Sequence, residues 1–181
     1  TIDSAGRLFE LEAEATDTNQ DIDDWPAIIT WDIEAAFPSV SQEWLQLTLD
    51  AREAKEGLKN FVESIYRESE AYGRASNLTH RLFAQSSGVA QGCPGSGWLF
   101  AAALDPILRL LAETIGSDGV LTACADDMSA AIRALRHLPR LARTFEDVHR
   151  STGLKLKPKK CHIIPLRQMA KEDFDRLRLW L

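Results

Sequence analysis

An α+β fold, an antiparallel sheet with helices packed on one face, is what the sequence predicts. Three observations carry that expectation. Segments of strand and helical periodicity follow one another in the order β-α-α-β-β-α-β-β-α-β. Two short apolar runs, Val120 to Ala125 and Met128 to Ile132, flank the adjacent acids Asp126 and Asp127 and read as a tight hairpin with both acids at its tip. The chain has 181 residues, 45% of them hydrophobic, which is enough for one core, and no apolar run reaches the length of a membrane span.

Each element has its own signal. Leu8 to Ala15 reads as part of a helix, followed by an acidic loop through Asp24. Pro26 admits a strand, Ala27-Ile28-Ile29-Thr30-Trp31, that ends at Asp32. Beyond Phe37-Pro38, Ser41 is a good N-cap for a helix whose apolar face holds Trp44, Leu45 and Leu49. A second helix runs from about Leu58 to Glu68, and residues 71–85 suggest a hairpin around Asn77. Ser86 to Gly97 is a glycine-rich loop that opens a long apolar helix, Trp98 to Ile115, kinked but not ended by Pro106. After the acid-tipped hairpin, Leu138 to Thr152 is amphipathic, with Leu141, Phe145 and Val148 inside and Gly153 as the glycine that stops it. Leu154 to Ile164 reads as two short strands around Pro158, and Lys171 to Leu181 as a short helix with Phe174, Leu177 and Leu181 on one side.

The net charge of −6 divides unevenly. Residues 1–26 carry eight acids and one base, whereas Arg133 to Arg167 carry ten bases and two acids. An acidic head thus precedes a basic half suited to phosphate contacts beside the acid-tipped hairpin. Cys93, Cys124 and Cys161 lie far apart without metal-ligand spacing, which points away from a disulfide framework or zinc site and toward a reducing compartment. Cys161-His162 reads as structural, because neighbours in an extended segment face opposite ways.

An ordinary turn favours Asn-Gly or Asp-Gly over two adjacent acids, which repel. A third acid, Asp32, also closes an apolar strand. Three carboxylates at the ends of buried strands are the hard oxygen ligands that a pair of Mg²⁺ ions requires.

The order of these motifs resembles the palm of reverse transcriptases, especially those of non-LTR retrotransposons. Asp32-Ile33-Glu34-Ala35-Ala36-Phe37 is similar to the family's first catalytic motif, Gly88-Val89-Ala90-Gln91-Gly92-Cys93-Pro94-Gly95-Ser96 to its second, Cys124-Ala125-Asp126-Asp127 to its third, and Gly153-Leu154-Lys155-Leu156-Lys157-Pro158-Lys159-Lys160 to its fourth. Each alone is a weak signal; four in the right order are a strong one. Pro38, Ala90, Gly97, Cys124 and Lys157 depart from the usual pattern, but no catalytic carboxylate is lost.

The resemblance implies a right-hand polymerase palm with a ferredoxin-like βαββαβ core. It implies an RNA-directed DNA polymerase that transfers deoxynucleotides (dNTPs) to the 3′-hydroxyl of a DNA primer on an RNA template, with two Mg²⁺ ions and Mn²⁺ as a substitute. In that scheme Asp32 and Asp126 bridge the ions, the Ile33 carbonyl is a backbone ligand and Asp127 is a weaker third carboxylate. Backbone N–H groups near Ala35 and Ala36 meet the triphosphate. Phe37 is the sugar gate, though by itself it reads first as a core aromatic packing under the helix from Ser41. Gln91 and Gly92 contact the incoming nucleotide, and Lys160 sits near the β- and γ-phosphates. Residues 1–26 then match an acidic remnant of fingers or linker, 27–167 the palm, and 168–181 the start of a truncated helix leading to a thumb. The expected setting is intracellular, in cytoplasm or nucleus, without a membrane and with fingers and thumb supplied by missing segments of a polyprotein. An isolated palm would grip a primer–template poorly, and its terminal helix would expose Phe174, Leu177, Trp180 and Leu181. A related intron-type or RNA-dependent RNA polymerase palm, and a decayed remnant that has lost catalysis, are the alternatives.

Overall fold

A computed structural model describes residues 21–181; the expected helix at Leu8 to Ala15 lies outside them. In chain order the elements are β1 (Ala27–Trp31), α1 (Ala36–Ser39), α2 (Gln42–Ala51), α3 (Glu56–Tyr66), β2 (Glu70–Ala75), β3 (Leu78–Ala84), α4 (Ser96–Ile115), β4 (Gly119–Cys124), β5 (Asp127–Ile132), α5 (Leu138–Thr152), β6 (His162–Pro165) and α6 (Lys171–Trp180). They form two compact units. One holds the described residues up to Ile33 with Leu108–Asp147 and Leu156–Leu181; the other holds Glu34–Ile107 and Val148–Lys155.

The first unit is built on a four-stranded sheet in the order β4-β5-β1-β6, antiparallel at every pairing. Its strands follow the βαββαβ path, and that spatial order is the ferredoxin-like one. Side chains alternate across a strand, so one set of each strand faces the helices and the other faces away. Ala27, Ile29 and Trp31 of β1 are buried with Met128, Ala130 and Ile132 of β5, against Leu111 and Ile115 of α4 and Leu141 and Phe145 of α5. The Trp31 and Phe145 rings lie 5.3 Å apart, and burying an aromatic of this size stabilises by about 2–3 kcal/mol. Thr30, Ser129 and Thr122 alternate onto the opposite, open face. An antiparallel sheet tolerates one open face because polar side chains there meet water.

The second unit packs α2, α3 and the first half of α4 around Leu45, Val62, Leu99 and Phe100. Ser41 caps α2 by accepting from the Trp44 amide, and the Trp44 indole donates to the Ala103 carbonyl at 2.9 Å. The hairpin β2–β3 forms a separate two-stranded sheet, so the described residues form two sheets where one was expected. Its turn residues Ser76 and Asn77 both take positive φ, the twist that a two-residue hairpin needs.

Two further expectations change. The segment expected as a first strand at Leu154 is a single antiparallel bridge, Ile33 with Leu156. Pro158 opens a short 3₁₀ turn there, because it has no N–H to extend a ladder. The terminal helix hides more than its sequence suggests: Leu177 is buried, and the Trp180 indole donates to Asp23 at 2.9 Å. Phe174, Leu179 and Leu181 are its exposed apolar residues. Among the described residues the three cysteines are free, and no helix is long and apolar enough to cross a membrane.

Candidate active site

The β4–β5 register pairs Cys124 with Asp127, which leaves Ala125 and Asp126 as the two-residue turn. The hairpin tip is therefore Ala125-Asp126, and Asp127 is the first residue of β5 rather than part of the tip. Ala125 has φ of +54°, in the left-handed region that costs a residue with a Cβ about 1–2 kcal/mol. The backbone cost falls on the residue that aims Asp126.

The same sheet places Asp32. Strands β1 and β5 pair with Trp31 opposite Met128. That pair ends the ladder, so Asp32, the residue after β1, follows at the same end of the sheet as the start of β5 at Asp127. Asp32 is also tied to the fourth motif. Its carbonyl accepts from the Lys157 amide at 2.8 Å, and Ile33 bridges Leu156. In an antiparallel bridge hydrogen-bonded through the flanking residues, the central residue's own carbonyl points the other way. The Ile33 carbonyl is thus directed away from Leu156, toward the β5 side.

The Lys160 ammonium lies 3.4 Å from an Asp32 carboxylate oxygen, with both side chains partly in solvent. Such a pair is worth below about 1 kcal/mol, so it neutralises Asp32 without locking it. Among the described residues, no three His, Cys, Asp or Glu side chains are gathered closely enough to hold a metal ion. The basic half is split as well. Lys157 and Lys160 adjoin Asp32, whereas Arg133 follows the far end of β5 and Arg167 follows β6. Lys157 and Lys160 of the expected basic stretch therefore border Asp32.

Sequence reasoning missed the floor beside the acids. A depression of about 390 Å³ is lined by Thr30, Thr122, Cys124, Asp127 and Ser129 among others. Thr122 and Ser129 share a 2.9 Å hydroxyl hydrogen bond across β4 and β5. The signal was the alternation of Thr30 between inward Ile29 and Trp31. A larger cavity, about 630 Å³, lies among Ile29, Trp31, Phe145, Ile163 and Trp180 and contains none of the candidate acids. Its size does not make it the site, because Asp23 is the one acid in its lining and the chemistry needs several.

In the second unit, Ala35 caps α1 in the left-handed region (φ 47°, ψ 49°) without a side-chain cap. A left-handed residue followed by helical ones is the nest geometry in which successive N–H groups converge, here around Ala36. Phe37 is half-buried and stacks on Phe100 at 4.6 Å, the planes 14° apart. The glycine-rich loop is fastened to this turn: Gly88 donates to the Val40 carbonyl at 2.7 Å and Val89 to that of Phe37 at 2.8 Å. Gln91 and Gly92 are exposed within the loop, and Gly92 has φ of +88°.

The family model described as reverse transcriptase (RNA-dependent DNA polymerase) matches residues 6–172. The chain belongs to this reverse transcriptase family. Its curated relatives are longer and of non-LTR type. The chain is 28% identical over 147 residues to the retrovirus-related Pol polyprotein of the type-1 retrotransposable element R2 of Nasonia vitripennis, a match covering 78% of this chain and 14% of that protein. It is 29% identical over 150 residues to the Pol polyprotein of the type-2 element R2DM of Drosophila melanogaster, covering 80% of the chain and again 14% of the relative. This reverse transcriptase chain therefore spans about one-seventh of the length of those relatives. In fold it is similar to telomerase from Candida tropicalis, solved with a fragment of telomeric RNA, at a TM-score of 0.69 and 14% identity over 91% of this chain and 29% of that one. The apo telomerase of the same organism gives 0.68 at 13% identity, over 91% of this chain and 32% of that one. The reverse transcriptase palm, an α+β fold, is thus the fold of this chain.

Proposed function

We propose that this chain is the catalytic palm of an RNA-directed DNA polymerase, extending a DNA primer on an RNA template with deoxynucleotides. Reverse transcriptases generally use divalent metals. What supports the reading in this chain is the pairing of β5 with both β1 and β4, which brings the end of β1, where Asp32 follows, to the start of β5 and the turn bearing Asp126. Asp32, Asp126 and Asp127, not gathered closely enough in the free protein to hold an ion, would draw together to hold two Mg²⁺ or Mn²⁺ ions, with the Ile33 carbonyl as a backbone ligand. Carboxylates and a carbonyl are the hard oxygen donors such ions prefer. Two ions there supply activation of the primer 3′-hydroxyl and charge neutralisation of the triphosphate.

The chain's own groups do the rest. Lys160 neutralises Asp32 in the free protein and turns its ammonium to the β- and γ-phosphates when the triphosphate arrives. The Ala35–Ala36 turn meets phosphate oxygens with its N–H groups, while Gln91 and Gly92 meet the nucleotide. Phe37, held by its stack on Phe100, gates the sugar by clashing with a 2′-hydroxyl.

Templated extension with deoxy- and ribonucleotides in parallel tests this reading. Wild type is expected to use deoxynucleotides on RNA. Phe37→Val is expected to narrow the preference for deoxynucleotides at least about tenfold, equivalent to about 1.4 kcal/mol. The opposite outcome, a parallel fall with both nucleotides, would make Phe37 a core residue alone. Ribonucleotide synthesis by wild type would favour an RNA polymerase palm.

A further inference from the structure

We propose that Arg167 and Arg176, both set against Trp25, form an oxyanion site that takes a phosphate group. Trp25 is fully buried two residues before β1. The Arg167 guanidinium carbon lies 4.4 Å from the centre of its ring and that of Arg176 5.8 Å. Two guanidiniums on one ring are like charges in a partly desolvated place, where repulsion is poorly screened. Nε and Nη1 of Arg167 are moreover buried and donate to nothing among the described residues. Buried N–H groups in folded proteins are nearly always answered by an acceptor. Arg176 meets Asp173 only at 3.6 Å, which leaves most of its own fork of donors for another acceptor.

The neighbouring acids have other partners too: Asp173, beyond its contact with Arg176, accepts from the Ala170 amide at 3.0 Å, Asp23 accepts from the Trp180 indole at 2.9 Å, and Asp24 pairs with Arg136. A planar guanidinium presents paired N–H donors that fit two oxygens of a phosphate, and a second guanidinium opposite would share the charge. This place is distinct from the candidate active site, because β1 separates Trp25 from Asp32 by its whole length, about 17 Å. The phosphate could be a free anion or one link of a polynucleotide backbone; the donors required are the same.

Thermal unfolding of the whole chain in sodium phosphate, against sodium chloride at matched ionic strength, tests the site. Wild type is expected to show a saturable rise in melting temperature with phosphate that chloride does not give. Arg176→Met, at a half-exposed side chain that tolerates change, should abolish the rise, as should Arg167→Met. Asp32→Asn should keep it in full, separating this site from the acids. A short RNA oligonucleotide then distinguishes the sources. A polynucleotide ligand predicts weaker binding by Arg176→Met with the salt slope shallower by about one; a free anion predicts unchanged oligonucleotide binding beside the lost phosphate response. A phosphate response kept in full by Arg176→Met, or absent from wild type, overturns the proposal.

Discussion

Asp126→Asn is expected to lower RNA-templated primer extension by at least about 10³-fold, equivalent to about 4 kcal/mol of transition-state stabilisation. The measurement belongs in a polypeptide of the relatives' length that carries this segment. Asp126 stands on the two-residue turn between β4 and β5, outside the ladder that pairs Cys124 with Asp127. Asparagine suits such a turn, and losing one of several close acids relieves repulsion. The fold should therefore survive, with a melting temperature equal to or above that of wild type, while catalysis is lost. Wild-type extension rates in this variant would remove Asp126 from the site.

Gly88→Ala carries the largest expected effect on stability. A Cβ at Gly88 would lie 2.5 Å from the Pro38 carbonyl oxygen and 2.6 Å from its Cα, both backbone atoms that cannot swing aside. Its φ of +81° adds the left-handed cost of about 1–2 kcal/mol. The loop would have to leave the Pro38 turn and give up the bonds from Gly88 to Val40 and from Val89 to Phe37. A loss of about 3–5 kcal/mol is expected, large against a total of about 5–15 kcal/mol. Gly92→Ala is the control: its φ is also positive, but a Cβ there meets nothing within 4 Å. It should lose only the conformational part, about 1 kcal/mol. Urea unfolding midpoints that fall equally in the two variants would show that the Pro38 contact is not what fixes the loop.

What could be read from the sequence was local. Ser41 as a cap, the helix Leu138–Thr152 and the glycine that stops it follow from side-chain chemistry and a period of 3.6. The three acids stood out because they adjoin the ends of apolar runs, Asp32 after one and Asp126 and Asp127 between two others. Matters decided by pairing between distant segments were not legible. The hairpin tip moved from Asp126-Asp127 to Ala125-Asp126 because Cys124 pairs with Asp127, and a one-residue choice of register leaves no trace in apolar runs. Strands β2 and β3 pair only with each other, though their pattern would equally suit a place in the main sheet. Leu156 offers a single bridge because its partner is Ile33, more than a hundred residues earlier. The shared seat of Arg167 and Arg176 on Trp25 likewise joins residues far apart in the chain, and its only sequence signal was an unremarked tryptophan before Pro26.

The central claim is that acids 94 positions apart, Asp32 and Asp126, serve one metal site. Titration of the chain with Mn²⁺, followed by the loss of the free ion's paramagnetic resonance signal, tests it without primer, template or catalysis. Wild type is expected to bind Mn²⁺ in competition with Mg²⁺, and Asp32→Asn and Asp126→Asn should each weaken that binding at least about tenfold, or 1.4 kcal/mol. Mn²⁺ binding that either variant leaves unchanged would contradict a shared site.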